Sequence, residues 1–397
     1  MDISPKEFGH QNSSFYVDSP MPGSIKQFEP FFASGFFDAE KTEIITRRRV
    51  GGPDFSKAPH LKNVLIFKEN MLPHLEFEDK VAVFYSFNSK SNVSITANRR
   101  VKHALILHGE SNKISSCRPI ARLYDHVCVS GYAAITRYLD AGIFRLGDVD
   151  GGRLIKTGDT FIQTIPYIRA ATPEDSDPWV LYAPTWENSS APENYSSAVE
   201  GYGFTVAQRA AEVLNIRRIA IKLHPNFGKH DNSLLTTLRR MVRGFVDNGF
   251  EVKFLEDNLD FTTKLRLKLS IGQEPFFHDR SKAMAVKLAI VDVSGMEAIC
   301  LKQNIPHLVI LKPEANNAIP EQIKENIYNS KSINFRSSLT DVDGILFSLF
   351  DGDFQARLDN MHRNAIFSYS CDELKADDYA VRHSALLKFM NENTYWK

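Results

Sequence analysis

Short apolar runs recur along the chain, with polar or amphipathic pieces between them. In the first half the runs are 63–67 (NVLIF), 80–86 (KVAVFYS), 103–108 (HALILH), 126–130 (HVCVS) and 153–157 (RLIKT). Each is too short for a helix, and several are β-branched, so they predict strands. The stretch 131–142 (GYAAITRYLDAG) puts Ala134, Tyr138 and Leu139 on one helical face and ends at Gly142. In the second half strands are expected at 179–184, 217–223, 251–255, 288–293 and 306–311, and helices at 203–214, 233–247, 295–302 and 319–328. Strand alternating with helix predicts parallel sheets covered by helices.

Residues 168–178 (IRAATPEDSDP) are polar and acidic, carry two prolines and lack apolar periodicity. They read as a linker. The division expected is an acceptor-side domain over 1–168, a nucleotide-binding domain over 178–353, and tail helices over 354–397 that pack back on the first domain. Two doubly wound α/β domains of this kind face a cleft and bind ligands at the carboxyl ends of their strands.

Composition narrows the picture further. The 397 residues carry 48 Lys+Arg and 48 Asp+Glu, so no net charge argues for nucleic acid as a partner. The clusters Arg47-Arg48-Arg49 and Arg99-Arg100 with Lys102 could serve an anionic sugar, or simply form solvated faces. Cys117, Cys128, Cys300 and Cys371 show no CxxC spacing and are expected as reduced thiols of a cytosolic protein. No secretory signal opens the chain, and no apolar run approaches the ~20 residues of a spanning helix. The expectation is a cytoplasmic protein, with peripheral contact at the inner membrane face if its substrate is membrane-linked.

Four strand ends carry candidate chemistry. Lys222-Leu223-His224-Pro225 would deliver an imidazole and an ammonium to one side of a strand end, able to neutralise a nucleotide phosphate without metal; the alternative is a proline stop beside a hydrogen-bonded histidine. Asp292-Val293-Ser294-Gly295-Met296-Glu297 leads from strand to helix, offering free amides and the Ser294 hydroxyl to an anion and Glu297 to ribose hydroxyls. The same spacing fits a plain capping box. His108-Gly109-Glu110-Ser111-Asn112-Lys113 places His108, Glu110 and Ser111 where an acceptor could bind or lose its proton, or where a decorated turn could stand. Tyr182-Ala183-Pro184-Thr185-Trp186-Glu187 opens a long polar loop in which Trp186 could stack on a sugar and Glu187 touch the acceptor. The pairs Asp148/Asp150, Asp341/Asp343 and Asp351/Asp353 read as turns and helix starts, so no metal is expected.

Taken together, HGES, YDHVCVSG, APTWE, LHPN and the Ser-containing strand-to-helix turn resemble two groups. One is the CDP-glycerol glycerophosphotransferase-like proteins, over roughly residues 100–310. The other, over essentially the whole chain, is the retaining β-Kdo transferases that use CMP-β-Kdo and cap O-antigen polysaccharide. This resemblance implies a GT-B type glycosyltransferase without metal or other cofactor, with His224 and Lys222 near the CMP phosphate, Ser294 and Gly295 as phosphate donors, and Glu297 on the ribose. It also implies a carboxylate nucleophile soon after the His-Pro pair, at position 232. The chain reads Lys229-His230-Asp231-Asn232-Ser233 there, so Asn232 stands for a substituted nucleophile and Asp231 is the alternative. Asp231, Asn232 and Ser233 would equally serve as N-caps of the helix at 233–247.

The function expected is transfer of Kdo to a sugar hydroxyl of an O-antigen chain, with a nucleotide sugar and an oligosaccharide or lipid-linked polysaccharide as partners. A glycerophosphotransferase would need no carboxylate nucleophile. A non-catalytic sugar-nucleotide or glycan-binding module of a larger synthase would suit Asn232.

Overall fold

The structure is a computed structural model and describes residues 8–20, 24–106, 109–256, 259–272, 277–315, 317–350 and 352–393. The chain forms two compact units. The first comprises residues 1–110, 117–163 and 365–397; the second comprises 111–116 and 164–364.

In the first unit seven parallel strands are ordered β3-β2-β1-β4-β5-β6-β7. They are β1 Ser13–Val17, β2 Glu43–Arg47, β3 Val64–Phe67, β4 Ala82–Tyr85, β5 Lys102–Leu105, β6 His126–Val129 and β7 Leu154–Lys156. Beneath the sheet lies a cluster of buried phenylalanines that includes Phe15, Phe28, Phe36, Phe37 and Phe84. Phe36 and Phe37 meet edge-on at 4.9 Å, the arrangement the ring quadrupoles favour. The last helix, Tyr379–Glu392, sinks Leu386, Leu387 and Met390 into the same cluster, and its His383 bonds Ser13 Oγ at 2.9 Å.

The second unit repeats the winding. Its strands are β8 Ile168–Ala170, β9 Trp179–Ala183, β10 Arg218–Ile221, β11 Glu251–Phe254, β12 Met284–Asp292, β13 His307–Leu311 and β14 Ser332–Asn334. The order is β11-β10-β9-β12-β13-β14, with β8 paired to β12. Strand direction is parallel throughout. All five residues of β9 are buried, as a central parallel strand covered on both faces must be. The helix Ser233–Asp247 buries Leu234, Leu238, Val242 and Phe245, one stripe at helical spacing. In each sheet the winding reverses beside the first strand of the unit's core, between β1 and β4 and between β9 and β12. Ligands of such folds bind at the carboxyl ends of the strands flanking that reversal.

Several expectations need revision. The segment read as a linker contains β8, whose Ile168, Arg169 and Ala170 pair with Met284, Ala285 and Val286. The chain passes from one unit to the other at Gln163/Thr164, before that segment, and the six residues 111–116 belong to the second unit although the strand before them belongs to the first. Asp148 and Asp341 do sit at helix starts, and Asp343 pairs with Arg209 at 2.7 Å; Asp351 lies outside the described residues. Arg47 and Arg49 are not a solvated face, since both pair with the buried Asp18 at 2.9 and 2.7 Å. No helix among the described residues is long and apolar enough to cross a membrane.

Candidate functional site

The reversal point of the second sheet gathers most of the candidate residues. Strand β9 runs out into Pro184-Thr185-Trp186-Glu187, β10 into Lys222-Leu223-His224-Pro225, and β12 ends at Asp292 before Ser294 starts a helix.

His224 is partly buried and accepts the Asn226 backbone N–H at Nδ1, 3.1 Å away. Its proton therefore sits on Nε2, which is left as a donor. Burial, together with the positive charges of Lys113, Lys222 and Lys229, holds its pKa down to about 4, so the ring is neutral at pH 7. Trp186 stacks on it at 6.0 Å with 29° between the planes, and also lies 5.2 Å from His230. Lys222 pairs with Glu256 at 3.3 Å, so part of its charge is already compensated.

Glu187, expected to touch the acceptor, is instead engaged within the fold. It is only 2% exposed, and its carboxylate accepts three backbone N–H groups of the loop after the His-Pro pair: Gly228 at 3.0 Å, His230 at 2.8 Å and Asp231 at 3.1 Å. A buried carboxylate clasping three amides fixes a turn in place. The turn leads directly to Asn232, which occupies the N-cap position of the helix Ser233–Asp247, is exposed, and makes no capping hydrogen bond through its side chain. Asp231 does the capping instead, accepting Ser233 N–H at 2.9 Å. Residue 232 is thereby presented to solvent at a helix N-terminus, where the macrodipole favours a carboxylate.

Ser294 caps the helix Gly295–Lys302, accepting Met296 N–H at 3.3 Å. Glu297 does not reach back to complete a capping box, nor is it open to a ribose. It is 2% exposed, and its two oxygens are taken by the Tyr328 hydroxyl, His362 Nε2 at 2.9 Å and Asn112 Nδ2 at 3.2 Å. Burial works to raise its pKa, but the bonds from His362 and Tyr328 and the charge of Lys331 prevail and hold it below the usual carboxylate range. Glu297, His307 and His362 bring their ligand-type atoms within 4.8 Å of one another, the one such trio among the described residues. Lys331, paired with Asp359, points its ammonium at His362 Nδ1 from 3.3 Å. That contact places the His362 proton on Nε2, which faces Glu297, while His362 Nε2 and His307 Nε2 are both buried without a well-formed hydrogen bond.

Glu110 also changes role. It is buried, and its carboxylate is engaged by the Arg137 guanidinium and by Ser130 Oγ at 2.5 Å, both within the first unit. It is the counter-ion of Arg137, not an open base. His108 lies outside the described residues. Ser111, in the second unit, bonds Ser116 Oγ at 2.8 Å.

Two residues at this point were not singled out from the sequence. Lys113 reaches Thr185 Oγ1 at 2.8 Å and lies 5.1 Å above the Tyr195 ring. Burial pushes its pKa down to about 8 against the opposing pull of Asp292. Asp292 is fully buried; its Oδ2 accepts Thr185 N–H at 2.8 Å and Ser197 N–H at 3.2 Å, while Oδ1 has no hydrogen-bond partner. Burial pushes its pKa up to about 6 despite those bonds. Asp292 lies at the end of a predicted strand and Lys113 five residues beyond one, which is the one signal the sequence carried for them.

Among solved structures the chain is similar to a glycosyltransferase from Rickettsia africae ESF-5, at 10% identity over 97% of this chain and 99% of that one, with a TM-score of 0.50. The fold is the GT-B fold. Other similar structures are a mutant Thermobaculum terrenum O-GlcNAc transferase (12% identity, 96% of this chain, 68% of that one, TM-score 0.47) and Medicago truncatula UGT71G1 complexed with UDP-glucose (10% identity, 97% and 99%, TM-score 0.46). No family model matches the chain, and neither does any curated protein. At such identities the likeness concerns the fold, and one fold hosts many reactions.

Proposed function

We propose that the protein is a glycosyltransferase taking its sugar from a nucleotide-activated donor, and more specifically a retaining β-Kdo transferase that uses CMP-β-Kdo, needs no metal, and glycosylates a sugar hydroxyl of a lipopolysaccharide O-antigen chain. The observation that carries this reading is the loop from His224 to residue 232. It begins with a neutral imidazole whose Nε2–H is free to donate to a phosphate oxygen and ends, under the clasp of Glu187, on an exposed side chain at a helix N-terminus.

Retention requires two displacements. In the first, a carboxylate oxygen at position 232 bonds the anomeric carbon as the bond to the CMP phosphate breaks, and CMP leaves with the electron pair. His224 Nε2–H, Lys222 and the amides at the start of the helix Gly295–Lys302 would stabilise the charge gathering on that phosphate. In the second, the acceptor hydroxyl attacks the same carbon, its proton passes to a base, and the carboxylate departs. Asn232 cannot act in the first step as a carboxylate does, so the present chain is expected to bind donor and turn over poorly, with Asp231 as the alternative nucleophile.

The test is Asn232→Asp with CMP-β-Kdo, read by intact mass and by turnover. A sugar adduct and a gain in rate support the reading; if neither appears, the assignment of position 232 is wrong. Thermal-shift titration with CMP, CDP and UDP addresses the donor, since a ligand at about 100 times its Kd stabilises a fold by roughly 2.7 kcal/mol. Preference for CMP supports the proposal, preference for CDP moves it to glycerophosphate transfer, and silence from all three removes the donor altogether.

A further inference from the structure

We infer that Lys113 forms, with the Thr185 hydroxyl and the face of Tyr195, an oxyanion subsite at the reversal point of the second sheet, which takes a negative charge of the donor that His224 and Lys222 do not hold. The inference deepens the glycosyltransferase reading and rests on it for the identity of the donor, though not for the existence of the subsite.

The argument starts from the position. Lys113 is carried on the segment 111–116, which is held to the rest of the second unit by hydrogen bonds: Ala318 N–H donates to Asn112 O at 2.8 Å, and Ile114 N–H donates to the side-chain hydroxyl Tyr195 Oη at 3.2 Å. These bonds bring the ammonium between the ends of β9 and β12, where a doubly wound sheet binds its ligand. The local chemistry is unbalanced. Of its three protons, one is committed to Thr185 Oγ1 and the Tyr195 face supplies a weak cation contact. Among the described residues no carboxylate stands within ion-pair distance. The nearby carboxylate, Asp292, spends Oδ2 on two backbone amides and leaves Oδ1 buried and unpartnered. A half-buried cation without an ion-pair partner is poorly compensated in the empty protein, and an incoming oxyanion supplies the missing partner. Burial is also what makes the contact strong once formed.

A CMP-linked sugar acid presents two charges, the phosphodiester and the sugar carboxylate, and the chemistry they share is an oxyanion accepting from an ammonium. The experiment separates them. Lys113→Met and Lys113→Arg are compared with the parent chain by thermal shift and calorimetry against inorganic phosphate, CMP and CMP-β-Kdo. The expected result is that Lys113→Met weakens CMP-β-Kdo by tenfold or more while the unliganded protein melts no lower than the parent, and that Lys113→Arg recovers part of the affinity. A merely structural lysine would lower the melting temperature of the empty protein instead. If CMP and phosphate weaken in parallel, the phosphate occupies the subsite; if CMP is unchanged and only CMP-β-Kdo weakens, the carboxylate does. Unaltered affinity for all three ligands overturns the subsite while leaving the nucleotide reading intact. Phosphate protection that depends on Lys113, with no nucleotide binding at all, supports the subsite and removes the nucleotide reading.

Discussion

Glu187 gives the sharpest energetic prediction. Its carboxylate accepts N–H groups from Gly228, His230 and Asp231 at 2.8 to 3.1 Å while remaining 2% exposed. Hydrogen bonds to a charged group contribute about 1.5–3 kcal/mol each in net terms, and a buried donor left without a partner costs about 1–3 kcal/mol. His230 and Asp231 are exposed, so water replaces the carboxylate there once it is gone. Gly228 is buried, and its N–H stays unsatisfied. Adding the small void left by truncation, Glu187→Ala should destabilise the protein by about 2–4 kcal/mol. For a unit of about two hundred residues that is a fall of roughly 4–15 °C in melting temperature. Glu187→Gln keeps one acceptor oxygen but turns an NH2 toward a backbone donor, so it should fall between parent and Ala. Urea unfolding gives the energies, and amide exchange at 228–231 reports the loop directly. In the Asn232→Asp background both variants should also lose turnover, because the clasp sets where residue 232 stands. An Ala variant within about 0.5 kcal/mol of the parent, with exchange at 228–231 unchanged, would refute the clasp.

Glu110→Ala should cost about 3–5 kcal/mol by stranding the buried Arg137; lost turnover at unchanged stability would instead restore Glu110 as a catalytic group. Gly131→Ala would set a methyl 2.5 Å from Ile366 O and 2.8 Å from Ser368 N, both backbone atoms, so a loss of about 1–3 kcal/mol is expected by urea unfolding, and a neutral result would contradict the packing there. Acid should weaken the fold. Burial first, then neighbouring positive charge, holds His224 near 4; burial holds His126 near 4 and His383 near 3, all below the ordinary 6.5. Between those values the unfolded chain binds more protons, so stability falls as pH drops from about 6.5 toward 4. Asp292, raised to about 6, works the other way over the lower part of that window and offsets some of the loss. Urea midpoints at pH 7 and pH 5 decide this, and an equal or higher midpoint at pH 5 would be the wrong sign.

The alternation of apolar runs with amphipathic pieces was enough to read parallel α/β layers, because strands buried on both faces must be continuously apolar. It also placed the candidate residues at strand ends: His224 follows β10 and Ser294 follows β12, as the chain order alone requires. Not every strand was legible. Of the first sheet, β1 and β2 went unread, since Ser13-Ser14 and Glu43 dilute their apolar content. Short β8 lay inside a stretch whose prolines and acids read as a linker, and only its pairing with β12 makes it a strand.

What each candidate carboxylate does was beyond the sequence. Glu110, Glu187 and Glu297 all follow predicted strands and all looked available. Their partners lie 27 residues away at Arg137, 41 to 44 at the loop amides, and 65 at His362. Local pattern carries side-chain type and position along an element; it carries no record of which distant donor closes on a carboxylate. That pairing is decided when the sheets assemble and water leaves, because a buried charge must then find a partner within hydrogen-bond reach. The sequence by itself therefore determined the layers and the strand ends, and only the tertiary structure decided which charged groups there are paired within the fold and which, such as Lys113, meet a hydroxyl and an aromatic face instead of a carboxylate.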